Sequence, residues 1–363
     1  MKQLLTDDFR SIVLDSRPLI DVRAPVEFEK GSFPNAINLP LMNNEERHLI
    51  GIRYKEEGNE SAVALGKELI DGKPREERTA KWKAFVRKHP DTCLFCFRGG
   101  QRSQISQTWL AEAGMPIPRL EGGYKAFRHF LMAESERIAK ETPTLIVGGR
   151  TGSGKTLLLH KLQNMIDLEG LANHRGSTFG RKISGQPSQI DFENRLAYAL
   201  IRHEALGYKH LVIEDENHNI GQLYIRNPLF GYLREGSLII LETPVSKRID
   251  IIMDEYVKGA LVQYSERYGD EGPQQWFDDV IAGLARIQKR LGSQRYIQIK
   301  ECFSEAFKVQ QRNGGLEGHK DWINILLEEY YDPMYDYQIE KSDIPIVFRG
   351  DEEAVIEYIR SRR

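Results

Sequence analysis

The stretch TLIVGGRTGSGKT, residues 144–156, decides the fold of the second half of the chain. It begins with an apolar run typical of a buried strand, passes through a glycine-rich turn and leads into the apolar residues 157–159 of a helix. The spacing GxxxxGK[ST] is that of a phosphate-binding loop, or P-loop, in the strand–turn–helix context that the motif requires. The sequence therefore predicts an α/β domain that binds a phosphorylated compound.

The glycines of this loop let the backbone approach an anion, and the N–H groups at the start of the next helix point toward it. Lys155 would add a positive charge, and the hydroxyl of Thr156 would ligate magnesium. The same arrangement accepts a nucleotide or the diphosphate of another compound. The residues predicted to bind phosphate groups are Gly149, Gly152, Gly154, Lys155 and Thr156.

A second apolar run, Leu211 to Ile213, ends in the carboxylates Glu214 and Asp215. In many P-loop proteins the carboxylate at the end of the neighbouring strand holds the metal ion. We therefore expect Glu214 and Asp215 to face a metal or a substrate. The sequence assigns no definite metal ligand.

A cysteine loop, CFRGGQRS at residues 96–103, precedes the P-loop. Cys96 ends the apolar run 92–96, and the loop after it brings backbone N–H groups and cations around one sulfur. Such a setting stabilises a thiolate and forms a nest for an anion, so we predict that Cys96 is a catalytic nucleophile. The predicted anion-binding residues of the loop are Arg98, Gly99, Gly100 and Arg102.

Other interpretations of the cysteine loop stay open at this point. Cys93 and Cys96 form a CxxC pair, but no second pair follows, so we expect Cys93 to belong to the core. The spacing from Cys96 to Arg102 also fits the cysteine-phosphatase signature, although Phe95 replaces its common histidine. The alternative function is a cysteine-dependent phosphatase or sulfurtransferase with a nucleotide-binding domain. A nucleotide-controlled interaction protein is a third class, and the intact Cys96 argues against it.

Composition narrows the class of protein. A chain of 363 residues favours two domains, each able to bury its own core. The formal net charge of -2 gives no global attraction to nucleic acid, so any RNA contact must come from local basic patches. Three cysteines, a polar start and no long apolar run predict a reducing, cytoplasmic setting without a membrane span.

One local basic patch is the stretch RGSTFGRK at residues 175–182. Its glycines, hydroxyls, cations and aromatic ring suit contacts to phosphates and bases. Its composition also predicts a flexible loop that closes over a substrate. The candidate contact residues are Arg175, Ser177 and Arg181.

Short apolar runs alternate with helical patterns in the first part of the chain, and we expect residues 11–14 and 19–22 to be strands of an α/β sheet. The charged residues 43–89, with apolar positions at helical spacing, predict a helical insertion. Pro143 marks the end of a charged helix and the start of a strand. The expected domains are 1–135 and 144–363, with a linker at 136–143 and a helical part at the C-terminal end.

Three segments resemble, in the right order, the signatures of rhodanese domains: DVRAPVEF at 21–28, GSFPNAINLP at 31–40 and LEGGY at 120–124. The resemblance implies a rhodanese-like fold over roughly residues 10–130, in which the loop cysteine carries sulfur or selenium. It also implies that Asp21 and Arg23 are structural, because charged hydrogen bonds of this kind tie loops together.

With residues 174–177 and 213–217, the two loops make the whole chain resemble the bacterial tRNA 2-selenouridine synthases. The implied fold is α/β, with an N-terminal rhodanese-like domain followed by a P-loop NTPase-like α/β domain whose C-terminal region is helical. The implied enzyme is a transferase that replaces the sulfur of 2-thiouridine at the tRNA wobble position by selenium, through an S-geranyl intermediate. The resemblance implies geranyl diphosphate and selenophosphate as co-substrates and tRNA as the partner. We expect magnesium as the ion at the P-loop, and we expect the protein to be a monomer. The P-loop would then hold a diphosphate without hydrolysing ATP.

Overall fold

The computed structural model describes residues 4–362, apart from 178 and 181, and the chain forms two compact units. The first unit combines Met1–Ile138 with Pro187–Leu206, and the second combines Ala139–Gln186 with Gly207–Arg363. This division differs from the single linker expected at 136–143, because a helix runs through most of that stretch and a later segment joins the first unit.

The first unit contains a five-stranded parallel sheet with the order β1-β5-β4-β2-β3. The central strands β4 and β2 are entirely buried, as expected for a sheet with covered faces. The strands are β1 Leu5–Thr6, β2 Leu19–Asp21, β3 Ala36–Asn38, β4 Cys93–Phe95 and β5 Arg119–Leu120. The helices that begin in this unit are Phe9–Leu14, Pro25–Phe28, Asn44–Ile70, Lys73–Lys88, Gln101–Glu112, Gly123–Glu141 and Gln189–Ala205.

The strand predicted at residues 11–14 is wrong, because this run belongs to the helix Phe9–Leu14. The Asp8 carboxylate caps the helix: it accepts hydrogen bonds from Ser11 N at 3.1 Å and from Ser11 Oγ at 2.7 Å. Ile12 and Val13 are fully buried on the core side. A cap just before a short apolar run therefore outweighed its strand-like composition.

Two helices occupy the stretch predicted as a helical insertion, Asn44–Ile70 and Lys73–Lys88. The first is interrupted at Gly58, whose φ of 84° lies outside the helical region. Trp82 of the second helix is buried, and its Nε1 donates to Leu39 O at 2.9 Å. This indole anchors the insertion to the backbone that follows β3.

Asp21 and Arg23 form a buried ion pair beside the sheet of the first unit. The guanidinium donates to both carboxylate oxygens and to Gly31 O at 2.9 Å, while Ser32 Oγ donates to Asp21 Oδ2 at 3.0 Å. Arg23 also lies over the ring of Tyr124, 4.0 Å from its centroid. The pair ties three loop segments together, and this placement supports a structural role.

We expect Asp21→Ala to destabilise the first unit by about 3–5 kcal/mol, because it leaves the Arg23 charge buried without its partner. Urea unfolding followed by tryptophan fluorescence measures the loss. Asp15→Ala is the control, since Asp15 is an exposed carboxylate in the same unit. An equal, small loss in both variants would contradict this role.

The second unit contains another five-stranded parallel sheet, with the order β12-β11-β6-β8-β7. A two-stranded antiparallel hairpin, β9 with β10, follows β8. The strands are β6 Thr144–Gly148, β7 Met165–Ile166, β8 Leu211–Glu214, β9 Asn219–Ile220, β10 Leu223–Tyr224, β11 Ser237–Leu241 and β12 Ile346–Gly350. Three short helices lie among them: Lys155–Leu159, Leu168–Ala172 and Leu229–Arg234.

Helices make up most of the chain after β11, which confirms the helical C-terminal region. Their core contains Trp276, Phe303, Phe307 and Trp322. Among the described residues, no helix combines the length and the apolar character needed to cross a membrane. The α-helices are Val245–Ile252, Gly259–Tyr268, Gly272–Leu291, Ser293–Asn313, His319–Leu326, Asp332–Glu340 and Glu352–Ser361; π-helical turns occupy Met253–Lys258 and Leu327–Tyr331, and a 3₁₀ turn occupies Gly269–Glu271.

Candidate functional sites

Cys96 directly follows β4, at the carboxyl end of the sheet in the first unit. The residue is 3% exposed, and its Sγ lies 3.2 Å from the Oγ of the buried Ser103. Ser103 Oγ donates to Gly100 O at 3.0 Å, which closes the loop onto the start of the helix Gln101–Glu112. The thiol therefore lies in a preformed loop, and Ser103 is a contact that the sequence analysis did not assign.

The segment that contains LEGGY supports the cysteine loop from the other side. Tyr124 N donates to Cys96 O at 2.9 Å, and Lys125 N donates to Phe97 O at 3.0 Å. A Cβ atom on Gly123 would collide with Cys96 O, and Gly123 has a φ of 61°. Only glycine allows both the close approach of Cys96 O and this positive φ without strain. The third rhodanese-like signature therefore fixes the path of the nucleophile loop.

The two arginines of the loop have different surroundings. Arg102 pairs with Glu27 at 2.6 Å, and Arg47 lies 3.2 Å from the same carboxylate. Burial alone would raise the pKa of Glu27, but the hydrogen bond and charge of Arg102 hold it below its ordinary value. Arg98 is exposed and lies over the Phe97 ring at 5.9 Å. The structure thus places Arg98 on the open side and Arg102 in an ion pair.

A large open cavity lies over the thiol, with a volume of about 1890 Å³ when the open space at its mouth is counted. The cysteine loop and the helix Asn44–Ile70 both contribute to its wall. Glu27 on the same lining offsets Arg47 and Arg102, so Lys55, Lys67 and Arg98 supply the remaining positive charge above the nucleophile. The basic side chains that line it are Arg47, His48, Lys55, Lys67, Arg98 and Arg102.

The P-loop connects β6 to the helix Lys155–Leu159 in the second unit, as predicted. Gly154 precedes this helix, and Lys155 Nζ donates back across the loop to Gly149 O at 2.9 Å. A Cβ atom on Gly152 would lie 2.6 Å from Ile252 Cδ1, and its φ is 76°. The structure therefore brings the five predicted phosphate-binding residues together in one loop.

A buried arginine supports the P-loop. Arg248 is 1% exposed, and its Nε donates to Thr151 O at 2.9 Å. Its other nitrogens bond to both oxygens of Asp332, at 2.9 Å and 2.5 Å. Arg150, the neighbour of Thr151, pairs with Asp336 at 2.8 Å. The helices of the C-terminal part thus hold the loop in place.

Three carboxylates converge beside the P-loop: Glu169, Glu214 and Glu216, with one oxygen of each within 4.8 Å of the others. Glu214 ends β8 and is 1% exposed, and neither of its oxygens has a hydrogen-bond partner among the described residues. Thr156 Oγ1 donates to Glu169 Oε2 at 3.3 Å. Hard oxygen donors of this kind suit Mg²⁺. The residues present therefore fit a magnesium ion beside a bound phosphate.

Known proteins match the chain over its length. Residues 5–129 match the family described as "Rhodanese-like domain", and residues 142–363 match the family described as "tRNA 2-selenouridine synthase AAA domain". A "tRNA 2-selenouridine synthase" of Sulfurovum sp. (strain NBC37-1) is 56% identical, over 99% of this chain and 98% of that protein. The chain belongs to the tRNA 2-selenouridine synthase family. This membership confirms the family resemblance and the two-part α/β fold.

Two further members of the family align with the chain to a similar extent. The protein of that name from Marinobacter nauticus is 48% identical, over 98% of both chains. The one from Shewanella frigidimarina is 43% identical, over 98% of this chain and 97% of that protein. The relationship therefore covers the cysteine loop and the P-loop together.

Within this member of the family, the structure separates the two carboxylates that the sequence analysis grouped. Asp215 forms an ion pair with Arg234, while Glu214 joins the carboxylate cluster. The strand β8 ends at Glu214, and Glu216 N donates to Glu214 O at 2.9 Å, so a tight turn follows the strand. Glu216 could have been suspected as a third carboxylate directly after the strand, whereas nothing in the local sequence indicates Glu169.

Burial and the charge of Glu169 raise the pKa of Glu214 to about 8. Burial and the charges of Glu169 and Glu214 raise the pKa of Glu216 to about 9. Burial thus favours the protonated forms of these two groups when no cation is bound. A cation that binds the cluster must therefore displace protons.

We expect magnesium to bind more tightly as the pH rises from 7 to 9, because fewer protons compete for Glu214 and Glu216. Titration calorimetry in buffers of different ionisation enthalpy measures both the affinity and the protons released. Glu214→Gln should weaken magnesium binding at least tenfold, while the exposed Glu340→Gln should not. Equal affinity at pH 7 and pH 9 would contradict a role for these carboxylates.

The loop at 175–182 lies in the second unit, where Arg175 stacks over the Tyr256 ring at 5.1 Å. Ser177 Oγ lies 3.2 Å from Tyr256 Oη, and Arg175 N donates to Gly180 O at 2.9 Å. Arg181 lies outside the described residues. Arg175 and Ser177 thus line a cavity that Thr151 of the P-loop also lines.

Proposed function

We propose that this protein replaces the sulfur of 2-thiouridine at the tRNA wobble position by selenium. The observation that carries the proposal is the alignment of nearly the whole chain with proteins named tRNA 2-selenouridine synthase, with a nucleophile loop and a phosphate loop both formed. The three cysteines are free, as a reducing cytoplasm requires. We place the reaction there, in a monomer.

The first step is assigned to the P-loop. The sulfur of 2-thiouridine attacks C1 of geranyl diphosphate, the C1–O bond breaks and diphosphate leaves. Lys155 and the loop amides would bind the leaving diphosphate and stabilise its developing charge. Thr156, Glu169 and Glu214 would hold magnesium, which supplies further charge neutralisation when bound. No nucleotide hydrolysis is needed for this step.

The second step is assigned to the cysteine loop, with Cys96 as its nucleophile. The Cys96 thiolate attacks C2 of the geranylated base, so that an Sγ–C2 bond forms, the C2–S bond to the geranyl group breaks and geranylthiolate leaves. The selenium of selenophosphate then attacks C2, the C2–Sγ bond breaks and the Cys96 thiolate is restored. Hydrolysis of the Se–P bond by water yields phosphate, so the overall exchange is redox neutral. Arg98 and the backbone amides after Gly99 would hold the selenophosphate anion. The ion pair with Glu27 makes Arg102 a positioning residue in this scheme.

Local basic charge supports tRNA as the partner despite the net charge of -2. Six basic side chains line the cavity over Cys96. Contacts between cations and phosphates supply affinity without sequence selection. The wobble base belongs to a single-stranded loop, so its rotation into a pocket costs little stacking energy.

The test uses the full chain, tRNA with 2-thiouridine at the wobble position, and nucleoside mass spectrometry. Geranyl diphosphate alone should yield S-geranyl-2-thiouridine, and addition of selenophosphate should yield 2-selenouridine. Phosphatase turnover without modification of tRNA would instead support the alternative function.

A further inference from the structure

A second cavity lies within the helical part of the second unit, and none of the steps above uses it. Its volume is about 970 Å³ when the open space at its mouth is counted. Aliphatic side chains such as Ile252, Ala260, Val280 and Leu326 form much of its wall, together with aromatic rings. Cavities whose lining is mainly apolar bind apolar ligands.

The N–H groups of the two indoles in the lining are already engaged. Trp276 Nε1 donates to Tyr256 O at 3.1 Å, and Trp322 Nε1 donates to His319 Nδ1 at 3.0 Å. The two indoles therefore offer carbon surface rather than hydrogen-bond donors. Gln263, Asp279 and Arg286 add polar groups to the lining, but most of its surface is apolar and suits a hydrocarbon.

The cavity is continuous with the P-loop. Thr151 of the P-loop lines it, and so does Ile252, whose side chain packs against Gly152. Arg175 and Ser177 lie on the same lining. A ligand with its diphosphate on the loop amides can therefore extend an apolar tail into the cavity, with the Arg175 cation near the junction.

We propose that this cavity binds the ten-carbon chain of geranyl diphosphate. The inference rests on the proposed function, because it places the tail of a donor whose diphosphate the P-loop holds. The cavity sets the length of the prenyl chain, and Ala260 is a specificity-determining residue. Ala260 is 7% exposed and lies on the helix Gly259–Tyr268.

The test is the variant Ala260→Phe, which fills the cavity. It should lower kcat/KM for geranyl diphosphate at least tenfold, and lower it less than twofold for the five-carbon dimethylallyl diphosphate. Binding of inorganic diphosphate should stay unchanged, which shows that the P-loop remains folded. Val262→Phe is the matched control, because Val262 lies on the same helix and is 58% exposed.

The outcomes separate this inference from the proposed function. If the wild-type protein does not geranylate thiolated tRNA, both the proposed function and this inference are wrong. Wild-type activity with no difference between Ala260→Phe and Val262→Phe would overturn the cavity assignment alone. An equal loss of kcat/KM with both donors in Ala260→Phe would also overturn the cavity assignment. A higher KM for tRNA with an unchanged KM for geranyl diphosphate would overturn it as well, because it would show that the cavity binds the base.

Discussion

Replacement of Cys96 by alanine is expected to abolish formation of 2-selenouridine while S-geranyl-2-thiouridine still forms at nearly the wild-type rate. The reason is that the thiol lies in the cysteine loop of the first unit, whereas the residues to which we assign diphosphate binding belong to the second. Without its nucleophile the selenium step cannot proceed, so 2-selenouridine should fall below the limit of detection. Mass spectrometry of tRNA nucleosides measures both products.

The control for this variant is Cys302→Ser, a change at another free cysteine, which should leave both products unchanged. Accumulation of the geranylated nucleoside is the specific sign, because a misfolded protein would make neither product. Equal loss of both steps in Cys96→Ala would refute the division of labour between the two loops.

Lys155→Ala is expected to slow geranylation by about 10²–10³-fold, because the variant lacks the ammonium group that would stabilise the leaving diphosphate. The rate of S-geranyl-2-thiouridine formation under single-turnover conditions measures the effect. Lys300→Ala, which removes an exposed lysine of the same unit, should leave the rate unchanged.

The two variant proteins can also be used one after the other on the same tRNA. Geranylated tRNA made by the Cys96→Ala protein should be converted to selenated tRNA by the Lys155→Ala protein, since that substrate bypasses the damaged step. If the Lys155→Ala protein cannot use geranylated tRNA, then Lys155 also serves the selenium step, and the separate assignments are wrong.

Both loops could be predicted from the sequence because their chemistry is local. Phosphate binding needs glycines, a lysine and a helix start within a few residues, and the nucleophile needs its cradle directly after it in the chain. The structure confirms the fold classes for the same reason, since each motif contains its own strand and turn. The short helix at residues 9–14 was missed because six residues give too little periodicity to distinguish it from a strand.

Contacts over long sequence distances could not be predicted. Glu169 joins Glu214 only because β7 and β8 pair in the sheet, and the partner of Arg102 is Glu27, from a helix before β3. Arg248 and Asp332 are far apart in the sequence and meet beneath the P-loop. Such pairs depend on the arrangement of whole elements, which a single sequence does not show.

The helix Gln189–Ala205 has a consequence for the order in which the protein is made. Phe192 and Tyr198 of this helix are buried, and Asn194 Nδ2 donates to Ser32 O at 2.7 Å within the first unit. A ribosome must therefore synthesise the P-loop before the first unit can complete its core. The apolar surface of the N-terminal segment that faces Phe192 and Tyr198 therefore stays uncovered until the ribosome has passed residue 205.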